Sequence, residues 1–85
     1  MEEKLSATEN RVHKELLLLG YFLSIDEKSA VISKILKNEL VVLFIIEKRT
    51  YYVHIKEAKY ITLDVLKLLC SLLTHYKKRR KLNEA

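Results

Sequence analysis

The side chains most often used for catalysis or metal binding are few in this chain: His13, His54, His75 and one thiol, Cys70. Cys70 and His75 stand five residues apart. On a helix that spacing turns them in different directions, so they cannot share a metal. No Cys-x-x-Cys pair and no paired-histidine helix motif is present. The single glycine, Gly20, cannot build a phosphate-cradling loop. Ser-His-acid groupings can be assembled on paper, but no motif fixes their geometry. Glu57 and Asp64, which flank Tyr60, read as a solvated loop acid and a helix-start acid. The expectation is a protein that is not an enzyme, with no metal, no cofactor and no small-molecule substrate.

The residues with a clearer chemical direction are Lys77, Lys78, Arg79, Arg80 and Lys81, in the closing stretch "THYKKRRKLNEA". One or two cations would suffice to complement a helix dipole, and five adjacent like charges repel one another. If the helix runs through Lys81, 100° steps spread the five around its circumference. A cationic knob of that kind suits phosphate contacts, which need no reading face, better than base readout, which needs side chains aligned in a groove. Lys48 and Arg49 add two cations beside Tyr51 and Tyr52, and aromatics interleaved with cations can stack single-stranded bases. Exposed tyrosines on a strand are also common as plain sheet packing. The candidate nucleic-acid-binding set is therefore Lys77, Lys78, Arg79, Arg80, Lys81, Lys48, Arg49 and Tyr52.

The charge distribution supports this reading. Residues 1–55 hold eight Lys or Arg and eight Asp or Glu, whereas residues 56–85 hold eight basic and three acidic groups. The entire net charge of +5 belongs to the last third of the chain. A neutral body with a basic end is a signature of nucleic-acid or membrane-surface contact. A basic nuclear-localisation signal would have the same composition as "KKRRK".

At 85 residues the chain is expected to make one small α+β domain, with residues 1–7 and 82–85 as candidates for flexible ends. A chain of this size buries only about 60–65% of its unfolded surface, so a core fits and an enclosed substrate cavity fits poorly. An apolar fraction of 49% beside 32% charged residues is that of a folded protein. One cysteine cannot form an internal disulfide, which suits a reducing cytoplasm. The first twenty residues lack the basic-then-apolar order of a signal peptide. The longest apolar run, Leu40 to Ile46, falls far short of the ~20 residues of a membrane helix. A soluble, cytoplasmic protein with no membrane partner is expected. Absent Gln and Pro beside abundant Lys and Glu is a thermophile tendency; a short chain or an AT-rich genome gives the same bias.

The elements that must position these groups follow from periodicity. Thr8 to Leu19 reads as a helix capped by Thr8 and closed by Gly20. "YFLS" (Tyr21–Ser24) is a short extended stretch or only a connection. A second helix is predicted from a Ser24–Glu27 capping box, with Val31, Ile32, Ile35 and Leu36 on one face and Asn38 as its stop. Leu40 to Ile46 has the β-branched, apolar character of a strand, and Tyr51 to Lys56 alternates as its antiparallel partner. Val65, Leu66, Leu69, Leu72, Leu73 and Tyr76 keep helical spacing in a long last helix starting near Thr62. The predicted fold is about three helices on a two- or three-stranded antiparallel sheet, in the order α-(β)-α-β-β-α, ending in the basic cluster.

A hairpin after helices resembles, in element order alone, the winged-helix DNA-binding domains over Thr8 to Ile55. Such domains need a helix pair between Gly20 and Leu40, and the sequence has room for one helix there, so no family is assigned. The leading expectation is a small accessory or adaptor protein that contacts nucleic-acid backbone without sequence specificity, as a subunit of a replication, transcription or RNA-processing assembly. The alternative is a protein-interaction module or dimer. It would dock through the apolar Leu63–Leu73 surface or the Tyr51–Lys56 strand edge, with its basic tail against an acidic partner.

Overall fold

The computed structural model describes residues 5–84, with side chains through Arg79. The order is α1 (Ala7–Leu19), β1 (Phe22–Ile25), β2 (Ser29–Leu36), β3 (Glu39–Glu47), β4 (Val53–Ile55), one 3-10 turn (Ala58–Tyr60) and α2 (Leu63–Glu84). The four strands form an antiparallel meander in the order β1-β2-β3-β4. The α+β class stands, with two helices rather than three and four strands rather than two or three.

The correction lies between Ser24 and Asn38, where a helix was expected and a β-hairpin stands instead. Three local features explain it. Ser24 and Glu27 make no capping box there; the Asp26 carboxylate accepts from the backbone N–H groups of Lys28 and Ser29, each at 2.8 Å, and bends the chain from β1 into β2. Val31, Ile32 and Ile35 are β-branched and favour a strand. Lys37 (φ 50°) and Asn38 (φ 65°) both take left-handed conformations between the paired Leu36 and Glu39. That two-residue turn, with both central φ positive, matches the twist of a hairpin without the usual glycine.

Elsewhere the elements fall close to their expected places. α1 is capped by Ser6, not Thr8: the Glu9 N–H donates to Ser6 Oγ and the Ser6 N–H donates to the Glu9 carboxylate. Gly20 closes α1 at φ 92°. Thr62 Oγ1 accepts from the Val65 N–H at 3.2 Å and starts α2. β4 covers only Val53–Ile55, because Tyr51, at φ 63°, belongs to the turn.

Both helices lie on one face of the sheet and run antiparallel: Ser6 at the start of α1 meets His75 late in α2, and Leu18 and Leu19 at the end of α1 border a cleft with Asp64, Lys67 and Leu68 near the start of α2. Val12 and Leu16 of α1 join Val65, Leu68, Leu69, Leu72 and Tyr76 of α2 over Ala30, Ile32, Leu43, Phe44 and Ile46 of the sheet. Ile32 pairs with Phe44 and Ser33 with Val42, so Leu43 is the extra residue of a bulge. The bulge turns both Leu43 and Phe44 into the core, where each is fully buried. The opposite face of the sheet has no layer over it among the described residues.

Candidate nucleic-acid interface

The register of the strands places two turns at the same end of the sheet. Ser29 opposes Glu47 and Val53 opposes Ile46, so the β1–β2 turn (residues 26–28) and the β3–β4 turn (residues 47–52) are neighbours. The Lys48 N–H donates to the Lys28 carbonyl at 2.9 Å and ties them. The start of α1 and the second half of α2 reach the same end.

A buried polar cluster holds these parts together. The Glu9 carboxylate, almost fully buried, accepts from the Tyr76 hydroxyl at 2.8 Å and the Ser6 N–H at 3.0 Å. Lys48 Nζ lies 3.8 Å from it and 5.3 Å from the centre of the Tyr76 ring, and also donates to the Asp26 carbonyl. Ser6 Oγ and His75 Nε2 share a hydrogen bond of 3.0 Å. Burial pushes the Glu9 carboxyl up, but the donors from Ser6 and Tyr76 and the Lys48 charge outweigh it and hold the group below its ordinary range. Burial draws His75 below its ordinary value; the Glu9 carboxylate opposes this, and the Arg79 and Lys48 charges reinforce it. At neutral pH Glu9 is therefore a carboxylate and His75 a neutral imidazole, in a setting that fixes α2 against the hairpin.

The cations of α2 sit just beyond this anchor. Tyr76 is buried, whereas Lys77, Lys78 and Arg79 are exposed. The helix backbone continues to Glu84, about 12 Å further at 1.5 Å per residue. Lys77 Nζ lies 5.5 Å from the centre of the Tyr51 ring and leans toward the β3–β4 turn. Lys78 borders a shallow cleft of about 360 Å³ between the helices, shared with Thr8, Arg11, Ser71, Thr74 and His75. Arg11 in that cleft is paired to Glu15 at 3.2 Å. The side chains of Arg80 and Lys81 lie outside the described residues.

The structure thus brings the turn of Arg49, which is exposed, to the same end as Lys77, Lys78 and Arg79. Lys48 occupies that end too, but its side chain is only 18% exposed and is directed at Glu9, so its role is to fasten the turn. Tyr52 does not join the cations. It lies on the open sheet face, edge-on to His54 with ring centres 6.5 Å apart, and His54 is hydrogen-bonded to Glu47 at 2.8 Å. Cys70 is exposed, and no group of three or more His, Cys, Asp or Glu could hold a metal among the described residues. No helix among the described residues is long and apolar enough to cross a membrane.

Sequence reasoning overlooked the Ser6–Glu9–Lys48–His75–Tyr76 cluster. Its signal was present: Ser6 and Glu9 stand in capping-box spacing, two residues ahead of the cap assigned to Thr8. The long-range members had no signal, since Lys48 and Tyr76 are joined to Glu9 only by the fold. In comparisons with known proteins, no family model, no curated protein and no solved structure matches this chain.

Proposed function

We propose that this chain is a non-enzymatic nucleic-acid-associated protein that contacts the phosphate backbone, without sequence specificity, through the basic end of α2. It is a small accessory or adaptor subunit, working beside other proteins in a larger nucleic-acid-processing assembly. The observation that carries the reading is the path of α2 past the buried Tyr76. Tyr76 is buried and hydrogen-bonded to Glu9, and the three residues after it are all exposed cations. Successive residues are 100° apart, so Lys77, Lys78 and Arg79 project on different sides of the helix. That array neutralises charge without presenting a flat reading surface. Arg49, on the adjoining turn, extends the same positive surface, and Arg80 and Lys81 continue the run in sequence.

The Leu63–Leu73 surface is less available for docking than its apolar composition suggests. Val65, Leu68, Leu69 and Leu72 belong to the protein's own core, which leaves Leu63 and Leu66 exposed, and the β4 edge offers only three residues of strand. The test is binding of labelled single-stranded and duplex DNA and RNA by the intact chain. Its comparisons are a Lys77→Gln/Lys78→Gln/Arg79→Gln variant and a Lys14→Gln/Lys37→Gln control away from the basic end. The reading requires loss of binding in the first variant and near-normal binding in the control. Equal binding by all three would overturn it.

A further inference from the structure

The face of the sheet turned away from the helices is apolar where an antiparallel sheet facing water would be polar. Its rows follow from the register: Ser24, Val31, Ile45 and His54 in one row, Phe22, Ser33 and Val42 in the next, and Ile35 with Leu40 beyond. Phe22 is 41% exposed, Val42 38%, Ile35 54% and Leu40 64%, and all four lie on this one face. Single exposed apolar residues need no explanation, but a contiguous patch of this kind marks an interaction surface.

We infer that the open sheet face is a self-association surface, on which a second copy of this chain packs sheet to sheet. Shape, charge and area favour that occupant. A four-stranded face carrying aliphatic side chains in its central rows matches a second such face, twisted in the same hand, at the ~10 Å spacing of stacked sheets. A two-fold axis parallel to the strands, between β2 and β3, would stack Val31 on the second copy's Ile45 and Ile35 on its Leu40. Ser33 would meet Val42 and Ser24 would meet His54, so no cation would face a cation. The ionisable groups at the β4 border fit this arrangement: Glu47 and His54 are already paired, and Lys56 would come opposite Phe22.

The positive charge does not oppose such a dimer. The helix layers would lie on its two outer faces, with both sheets between the α2 cations of the two copies. That separation exceeds the ~8 Å Debye length at physiological salt. The area is sufficient for a weak dimer. Three strands at ~4.8 Å and eight residues at ~3.3 Å give a footprint of ~380 Å² per copy, larger once side-chain relief is counted. Two copies would bury roughly 750–1,000 Å², below the ~1,200–2,000 Å² of stable interfaces and within the range of weak, transient ones.

The experiment is sedimentation equilibrium of the full chain from about 5 to about 500 µM, a range in which mass action populates a weak dimer. The variants are Leu40→Glu, Ile35→Lys and, on the helix side, Leu18→Glu. All three positions are exposed, and Leu18 is 87% exposed, so none removes a core contact. Thermal unfolding confirms that each variant folds. The inference requires a concentration-dependent dimer whose dissociation constant rises at least tenfold in Leu40→Glu and Ile35→Lys and is unchanged in Leu18→Glu. A monomer across the whole range would overturn it and leave the face to a different protein. A dimer lost only in Leu18→Glu would overturn it equally, by placing the contact on the helices.

Discussion

Replacing Glu9 by alanine is expected to destabilise the fold more than any surface substitution, because one carboxylate serves three partners. The change takes the Glu9 acceptor from the buried Tyr76 hydroxyl and opens the capping box at Ser6. It also leaves Lys48 without its counter-charge. Removing one member of a buried ion pair costs about 3–5 kcal/mol, and the partial exposure of Lys48 argues for the lower end, about 3 kcal/mol. For a domain of this size that corresponds to a fall in Tm of roughly 12–24 °C. Tyr76→Phe removes only the hydroxyl and its bond to a charged acceptor, for about 1.5 kcal/mol. Glu9→Gln keeps an acceptor without the charge and should fall between the two. The assay is urea unfolding of the two single variants and the double variant, which yields the Glu9–Tyr76 coupling directly. A coupling of about 1 kcal/mol or more is predicted. A Glu9→Ala cost below ~1 kcal/mol, or additivity within ~0.3 kcal/mol, would refute the claim that this cluster anchors α2 to the hairpin.

Three further outcomes follow from the same geometry. Glu9 and His75 both have lowered pKa values in the fold, so in each case the unfolded chain takes up its proton first and stability falls with acid. The His75 contribution is complete above its ordinary 6.5 and is lost as pH drops below that value toward its folded pKa. The Glu9 contribution is lost below 4.5 in the same way. Thermal melts from pH 8 to 3 should show both falls, and a midpoint that rises between pH 7 and 5.5 would contradict the His75 assignment. Ser6→Ala should cost about 0.5–2 kcal/mol in chemical unfolding while Thr8→Ala costs far less, because Ser6 is the cap; equal costs would return the cap to Thr8. Lys37→Asn combined with Asn38→Gly should raise Tm by several degrees, about 1 kcal/mol, since both positions hold positive φ; a lowered Tm would show that the native turn residues make contacts worth more than the strain.

What was legible in the sequence was whatever local chemistry settles. Gly20 ended α1 because its left-handed conformation is a local requirement, and the alternation of Val53, His54 and Ile55 survives in β4. The second hairpin was hidden by an ambiguity of period. Val31, Ile32, Ile35 and Leu36 fit a helical face, yet they equally fit a strand with apolar residues on both sides, and this strand has apolar residues on both sides. Its turn carried no glycine to mark it, since Lys37 and Asn38 take the left-handed conformations themselves. The same two-sidedness produced the apolar outer face, so the missed hairpin and that face share one cause.

The basic cluster was legible as composition, but its setting was not. Sequence could not show that the β3–β4 turn would lie beside Lys77, because that neighbourhood depends on Tyr51 leaving the strand at φ 63° and packing toward α2. Nor could it separate Lys48 from Arg49. Adjacent in sequence, one is turned inward to Glu9 and the other lies on the surface. A charge run states how much positive charge is present, and only packing decides which charges a ligand can meet.

The central claim is most directly tested by the salt dependence of duplex DNA binding, measured for the intact chain and for Lys77→Gln/Lys78→Gln/Arg79→Gln. Each phosphate contact contributes about −0.9 to the log–log slope, so the intact chain should show a slope of roughly −3 to −5 and the variant a slope shallower by about 2–3. Binding whose slope is unchanged by the triple substitution, or no binding by the intact chain at low salt, would contradict the account.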